Sequence, residues 1–354
     1  MRIPAVAAQS EETNILHQLR YVHQQNEFFS FLEDHAEWIR DVIAHHLNIS
    51  LSTVIITPRE QWLNGSFNVC IPVSTGQHHV LFRVPLSYRV GETIKPGNAD
   101  EKIRCEAGTY AWLEDHCPDI PIPKLYGFGL STGFTRLENL PVASRYISLF
   151  IRWCRSLLNF TTPSCYVGHD NHQLNGMPGY LIIEFIERGS MLSNAWGLGR
   201  DNNELRANLF RDLARIFLSF ARVPLPRIGS FIISDNGYFR LANRPLSLGI
   251  HELENEGIPV DIPRDLTYSS THAYVTDLPA IHDSRLYHQP NAINDQSDFT
   301  YQASILATMP MIPPPFLHKT AQEFMTILKA EEKNLSRASD LSGALEQAWS
   351  SGAY

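Results

Sequence analysis

A single arginine stands inside an otherwise apolar run, Val80-Leu81-Phe82-Arg83-Val84-Pro85-Leu86, and it limits what this chain can fold into. The run reads as a strand, and a guanidinium buried there without an anionic partner is costly. Arg83 therefore either faces a carboxylate or a bound anion, or it sits on an edge strand and points to water. Upstream, Trp62-Leu63-Asn64-Gly65-Ser66-Phe67-Asn68-Val69-Cys70 places a small-residue bend between two apolar stretches. Gly65 would let backbone N–H groups approach phosphate oxygens, with Ser66, Phe67 and Asn68 around the same bend. The plainer reading of that bend is an ordinary hairpin turn. Downstream, Pro96-Gly97-Asn98-Ala99-Asp100-Glu101 reads as a loop and cap opening a helix that runs to about His116. Glu106 on that helix is the natural ion-pair partner for Arg83, and Glu101 is the competing candidate.

Composition narrows the class. The chain has 354 residues, 44% hydrophobic and 19% charged, which describes a globular protein. Its net charge of −8 argues against broad nucleic-acid or anionic-membrane binding. Five cysteines with no C-x-x-C spacing point to a reduced intracellular setting and away from a zinc site. No apolar run approaches the ~20 residues that cross a bilayer. A cytoplasmic protein with neither nucleic-acid nor membrane partners is expected.

Helix is expected over residues 11–48, then strands at Ser52–Ile56, Phe67–Pro72 and His79–Val84, with a turn at Thr75-Gly76-Gln77. Lys124–Phe128 and Tyr180–Ile186 read as further strands. Tyr146–Phe160 reads as an amphipathic helix, expected to pack on the core with Arg152 and Arg155 outward rather than to lie on a membrane. Helix resumes at Asn203–Arg222, and Asp235-Asn236-Gly237 signals a hairpin. Residues 244–300 read as polar loops and short helices, Met309–Pro315 as a stiff break, and Ala321–Trp349 as helix.

Glycine bend, cation on the next strand and acid on the next helix form an order that grips a nucleoside triphosphate. These stretches resemble the aminoglycoside phosphotransferase family, in particular a fungal branch of it. Trp62–Cys70, the run from Pro96 to Glu106, Pro224–Ser230, Leu286–Ala292 and Glu323-Phe324-Met325 with Glu331-Glu332 carry the resemblance. It extends from about Leu16 to Trp349 with one break. It implies an α+β, protein-kinase-like, two-lobed fold with an incomplete C-terminal lobe. The implied division is a helical extension over 11–48, an N-terminal lobe over 49–185 with an insertion near 131–178, and a helical C-terminal lobe over 186–354.

By this resemblance Gly65, Ser66, Phe67 and Asn68 form the nucleotide loop, and Arg83 stands where kinases usually carry lysine. Glu106 becomes the helix acid, and Glu184 to Ile186 the hinge that meets the adenine. ATP is the implied cofactor, with magnesium expected for the family. The partners are a nucleotide and an unspecified small molecule or protein.

Phosphoryl transfer further needs an aspartate to orient the acceptor hydroxyl, an asparagine five residues on, and a second metal-binding aspartate. The family carries these between the stretch matching His282–Gln302 and the closing helix. This sequence passes from Gln302 to Ala321 without them. Asp170 has Asn175 five places on but precedes the hinge and lacks the H-x-D arrangement. Thr276-Asp277-Leu278 imitates the start of a catalytic loop, yet His282 stands where asparagine belongs, and after Asp283 the matching place holds His288. The expectation is a phosphotransferase by descent that is inactive as this chain, with magnesium ligands missing and no catalytic residue assigned. The alternative is a pseudokinase that binds a nucleotide or a protein. An omitted exon or internal deletion would produce the pattern, and would leave apolar groups around Leu181–Ile183 and Leu209–Phe220 uncovered.

Overall fold

The computed structural model describes residues 14–76, 78–130, 133–136, 142–158, 163–169, 176–234, 236–308, 319–334 and 340–351. The chain is a mixed α+β protein. Its helices of eight or more residues, among those described, are α1 (Ile15–Asp34), α2 (Ala36–Leu47), α3 (Asn98–His116), α4 (Val142–Leu157), α5 (Leu192–Gly199), α6 (Asn203–Ala221), α7 (Leu248–Asn255), α8 (Thr271–His288), α9 (Gln296–Thr308), α10 (Lys319–Asn334) and α11 (Leu341–Ser351). The strands are β1 (Ile55–Ile56), β2 (Leu63–Asn64), β3 (Asn68–Ser74), β4 (His79–Pro85), β5 (Leu125–Gly129), β6 (Gly133–Arg136), β7 (Tyr166–His169), β8 (Tyr180–Glu184), β9 (Ser230–Ile233) and β10 (Phe239–Asn243). Two compact units emerge: Met1–Trp112, Ile122–Phe185 and Arg227–Ser304 form the first, and Leu113–Pro121, Ile186–Pro226 and Ile305–Tyr354 the second.

In the first unit an antiparallel sheet runs in the order β1-β3-β4-β8-β5-β6-β7, with β2 also pairing with β3. Side chains alternate across a strand, so Val69, Ile71 and Val73 of β3 share a face with Val80, Phe82 and Val84 of β4. That face packs on Phe29, Leu32, Trp38, Ile39 and Ile43 of α1 and α2. On the opposite face, Leu81, Leu181 and Ile183 pack with Ile103, Ala107 and Ala111 of α3. The sheet is thus covered on both sides, and Arg83 belongs to the α3 side. α3 also comes close to the β9–β10 hairpin. A Cβ on Gly108 would stand 2.5 Å from the Phe231 carbonyl oxygen, and Trp112 stacks on Phe231 with ring centroids 4.6 Å apart.

The structure corrects several expectations. The helix expected over 11–48 breaks at His35, whose backbone (φ −105°, ψ 24°) leaves the helical region and whose ring Nδ1 lies 2.7 Å from the Phe31 carbonyl oxygen. Strand at Ser52–Ile56 shrinks to β1, preceded by a 3-10 turn at Leu51–Thr53. In place of short helices, residues 271–288 form one long helix with Pro279 inside it. Leu181, Ile182 and Ile183 are not uncovered, because β8 lies between β4 and β5 and is buried. The expected orientation of α4 is reversed. Arg152 donates to the Pro163 carbonyl and Arg155 lies over the Tyr238 ring, while the apolar stripe is exposed. Gln77 of the expected turn, Asp170–Gln173, Asp235 and Met309–Pro315 lie outside the described residues.

The second unit is helical among its described residues. Ala214 and Leu218 of α6 pack on Met325 and Leu328 of α10. Ion pairs flank that seam, Arg206 to Glu323 at 2.9 Å and Arg215 to Glu331 at 3.1 Å. Of the apolar groups expected to be uncovered on α6, Phe217 and Phe220 are 46% and 40% exposed, whereas Phe210 and Leu218 are buried.

Candidate functional site

Arg83 and Glu106 meet. The β3–β4 register sets Arg83 opposite Cys70, the β4–β8 register sets it beside Leu181, and α3 lays Glu106 over that face. Arg83 Nη2 lies 3.5 Å from Glu106 Oε1 and 3.4 Å from Oε2, with the two side chains 26% and 22% exposed. With its amide oxygen turned toward the guanidinium, Asn68 accepts from Arg83 Nη2 at 2.8 Å. Arg83 Nε is buried with no acceptor among the described residues. A buried N–H left unmatched is an unusual cost in a folded protein.

The bend beside this pair is a tight turn. Gly65 N–H donates to the Asn68 carbonyl at 2.9 Å, and a Cβ on Gly65 would come within 3.3 Å of that oxygen. The Gly65 amide is therefore committed within the turn rather than presented to a ligand. Ser66 is exposed, and its carbonyl accepts from Arg89 Nε at 2.9 Å. Phe67 is a core side chain, 7% exposed, whose carbonyl accepts from the Leu86 amide. Of the four bend residues, Asn68 is the one whose side chain reaches Arg83.

The hinge residues fare differently. The Glu184 amide donates to the Lys124 carbonyl at 2.8 Å and the Phe185 amide to the His79 carbonyl at 3.0 Å, so neither is free for a base. The Glu184 carboxylate accepts from the Lys124 amide. Ile186 follows the end of β8, with its side chain 56% exposed.

Two features of the site escaped the sequence reading. Lys102 Nζ also contacts Glu106 Oε1, so that carboxylate lies between two cations. The i,i+4 spacing of Lys102 and Glu106 on one helix would have predicted this contact. Glu101, the rival partner for Arg83, belongs instead to a buried network around Arg244. The Arg244 guanidinium, 0% exposed, pairs with both Glu101 and Glu254. Asn98, Asn243 and Arg264 add hydrogen bonds to the same carboxylates or to each other.

The electrostatics follow the geometry. Burial raises the Cys70 thiol above its usual value, with Arg83 pulling the other way. Burial likewise raises the Tyr110 hydroxyl, which shares the Arg83 and Glu106 charges. Asp277, the mimic of a catalytic base, lies on α8 and accepts from the Tyr268 hydroxyl at 2.8 Å. Among the described residues no three His, Cys, Asp or Glu side chains converge as a metal cage. No family model, curated protein or solved structure matches the chain.

Proposed function

We propose that this chain is a protein-kinase-like protein of the aminoglycoside phosphotransferase type that holds a nucleotide without transferring its phosphate. The observation that carries the reading is the Arg83–Glu106 pair with Arg83 Nε left over. A guanidinium steadied from one side by a carboxylate, with an unmatched N–H, is suited to a phosphate oxygen. The Gly65 turn and Asn68 stand next to it on the preceding strands. In this reading ATP would meet Arg83 through its phosphates, the Gly65 amide being committed within its turn. The sequence contains no H-x-D-x-x-x-x-N, so the chain's own residues grip and do not activate an acceptor hydroxyl.

Fluorescent ATP titrated into the purified protein tests the reading. Saturable binding that Arg83→Ala weakens by about tenfold is expected, since losing one charge-assisted contact costs on the order of 1.4 kcal/mol. Absence of saturable binding overturns it. ATP turnover with a hydroxylated acceptor, abolished by Asp277→Ala or Asp283→Ala, would overturn the non-catalytic half alone.

A further inference from the structure

A cleft of about 420 Å3 opens within the first unit, between α1, the one-turn helix Ser87–Val90, α7 and α8. Small-molecule sites fall in the range of about 300–1,000 Å3 and combine an apolar lining with a few placed polar groups. Here Ile250 and Leu253 of α7, with Leu278 and Ile281 of α8, supply the apolar lining. Arg89, Glu252 and Glu256 supply the charges, and none of these residues belongs to the Arg83–Glu106 site.

Arg89 is fixed in a way that leaves its tip open. Its guanidinium carbon lies 4.1 Å from the centroid of the Tyr21 ring, and Nε donates to the Ser66 carbonyl at 2.9 Å. Neither Nη has an acceptor among the described residues. A guanidinium steadied by stacking, with both Nη groups open, matches a carboxylate through two parallel hydrogen bonds. Glu252 and Glu256 stand four residues apart, a like-charge spacing that costs stability on a helix. The Glu252 carboxylate is exposed and has no ion-pair partner among the described residues. Behind it, Glu256 Oε2 is buried with no hydrogen-bond partner. Burial raises the Glu256 carboxyl and the Glu252 charge adds to the rise, while Asn14 and Arg285 draw it down. Tyr21 senses both signs at one point. Burial raises its hydroxyl, Arg89 lowers it, and Glu256 and Glu252 raise it further.

We infer that this cleft binds a zwitterionic small molecule with an apolar body, the chemistry of a free apolar amino acid. The ligand's carboxylate meets Arg89, its ammonium meets Glu252, and its side chain lies against Leu253, Leu278 and Ile281. With Arg285 also in the lining, guanidiniums and carboxylates balance two to two. A ligand of one sign would compensate one set and be repelled by the other, whereas a zwitterion engages both.

Titration of the full chain with L-phenylalanine, followed by ligand-observed NMR, tests the inference. Saturable binding is expected. Phenethylamine lacks the carboxylate and hydrocinnamate lacks the ammonium, so each should bind about tenfold more weakly, the worth of one charge-assisted contact. Glu252→Gln should weaken phenylalanine by a similar factor and leave hydrocinnamate unchanged. Arg89→Lys keeps the charge but loses the two-pronged geometry, so it should weaken phenylalanine and leave phenethylamine unchanged. Glu252 is exposed, and an unchanged melting curve would show that its variant folds. Arg83→Ala should leave phenylalanine binding intact, which separates this site from the nucleotide reading. No saturable binding of phenylalanine, single-ended analogues that bind as tightly, or Glu252→Gln with unchanged affinity would overturn the inference.

Discussion

Arg244 and Glu101 are 143 residues apart in sequence and meet in the core through two parallel hydrogen bonds, Nε to Oε1 at 2.9 Å and Nη2 to Oε2 at 2.8 Å. The same guanidinium makes a second parallel pair with Glu254 at 2.9 and 3.0 Å, and Nη1 also donates to the Ile262 carbonyl. Burial alone would raise the Glu254 carboxyl, but hydrogen bonds from Arg244, Lys95 and Asn98 outweigh it and hold it below the usual range. This network ties the first turn of α3 to β10 and α7 within the first unit, and so fixes the helix on which Glu106 stands.

Breaking the network from one side strands a buried charge. Arg244→Met leaves two carboxylates facing each other, and a loss of about 3–5 kcal/mol of folding stability is expected. Urea unfolding measures it. A loss under ~1 kcal/mol would mean the carboxylates find water or protonate at little cost.

His251 supplies a pH signature. It is 2% exposed, and burial, reinforced by the Lys102 charge, lowers its pKa from 6.5 to about 4. Between those values the unfolded chain binds the proton and the folded chain does not, so stability falls with falling pH. The contribution is intact above pH 6.5 and lost progressively down to about pH 4. Melting temperature followed from pH 7 to 4.5 should drop more steeply in the native protein than in His251→Phe. Parallel curves would show that His251 titrates normally.

Gly108 and Gly249 make a matched test of close approach. Alanine normally stabilises an exposed helix position by roughly 0.5–1 kcal/mol over glycine. At Gly249 on α7 the nearest atom to an added Cβ is Ser247 Oγ at 3.9 Å, so Gly249→Ala should be neutral or stabilising. At Gly108 the added Cβ meets the backbone of Phe231 and Ile232 at 2.5–2.9 Å. Gly108→Ala should therefore destabilise by ~1–3 kcal/mol as the hairpin is pushed off α3. Equal effects of the two substitutions in thermal melts would count against that contact.

What the sequence revealed depended on the range of each interaction. The Asn236-Gly237 signal is local, and β9 pairs with β10 there, with Gly237 at φ +79°. Arg83 and Glu106 could be paired on paper because strand and helix periodicity each pointed one residue toward the same layer. Glu101 stands five residues from Glu106, and helix geometry alone does not say that Arg244 claims it. That depends on which distant element docks on α3. The pattern of α4 defined an apolar stripe without saying which way it turns, and the decision came from Arg152 and Arg155 being engaged on the polar edge. The bend at Gly65 was legible as a turn, while the internal use of its amide follows from turn geometry that composition does not encode.

Cys70 offers a reporter for the proposed nucleotide site. It sits opposite Arg83 in the β3–β4 register, is partly exposed, and has its thiol raised by burial while Arg83 draws it down. Thiolate is the form that alkylates, so reactivity at Cys70 depends on both the Arg83 charge and access to this face. Bound ATP would draw the Arg83 charge to itself and cover the face, and both effects slow alkylation. Mass-spectrometric peptide mapping separates Cys70 from the other four cysteines. Its maleimide labelling at pH 8 should slow several-fold with ATP in the native protein and much less in Arg83→Ala. Arg83→Ala should also label more slowly than the native chain without ATP, because the thiol loses its stabilising cation. Labelling indifferent to ATP, with normal dependence on Arg83, would leave the ion-pair geometry standing and remove the nucleotide from it.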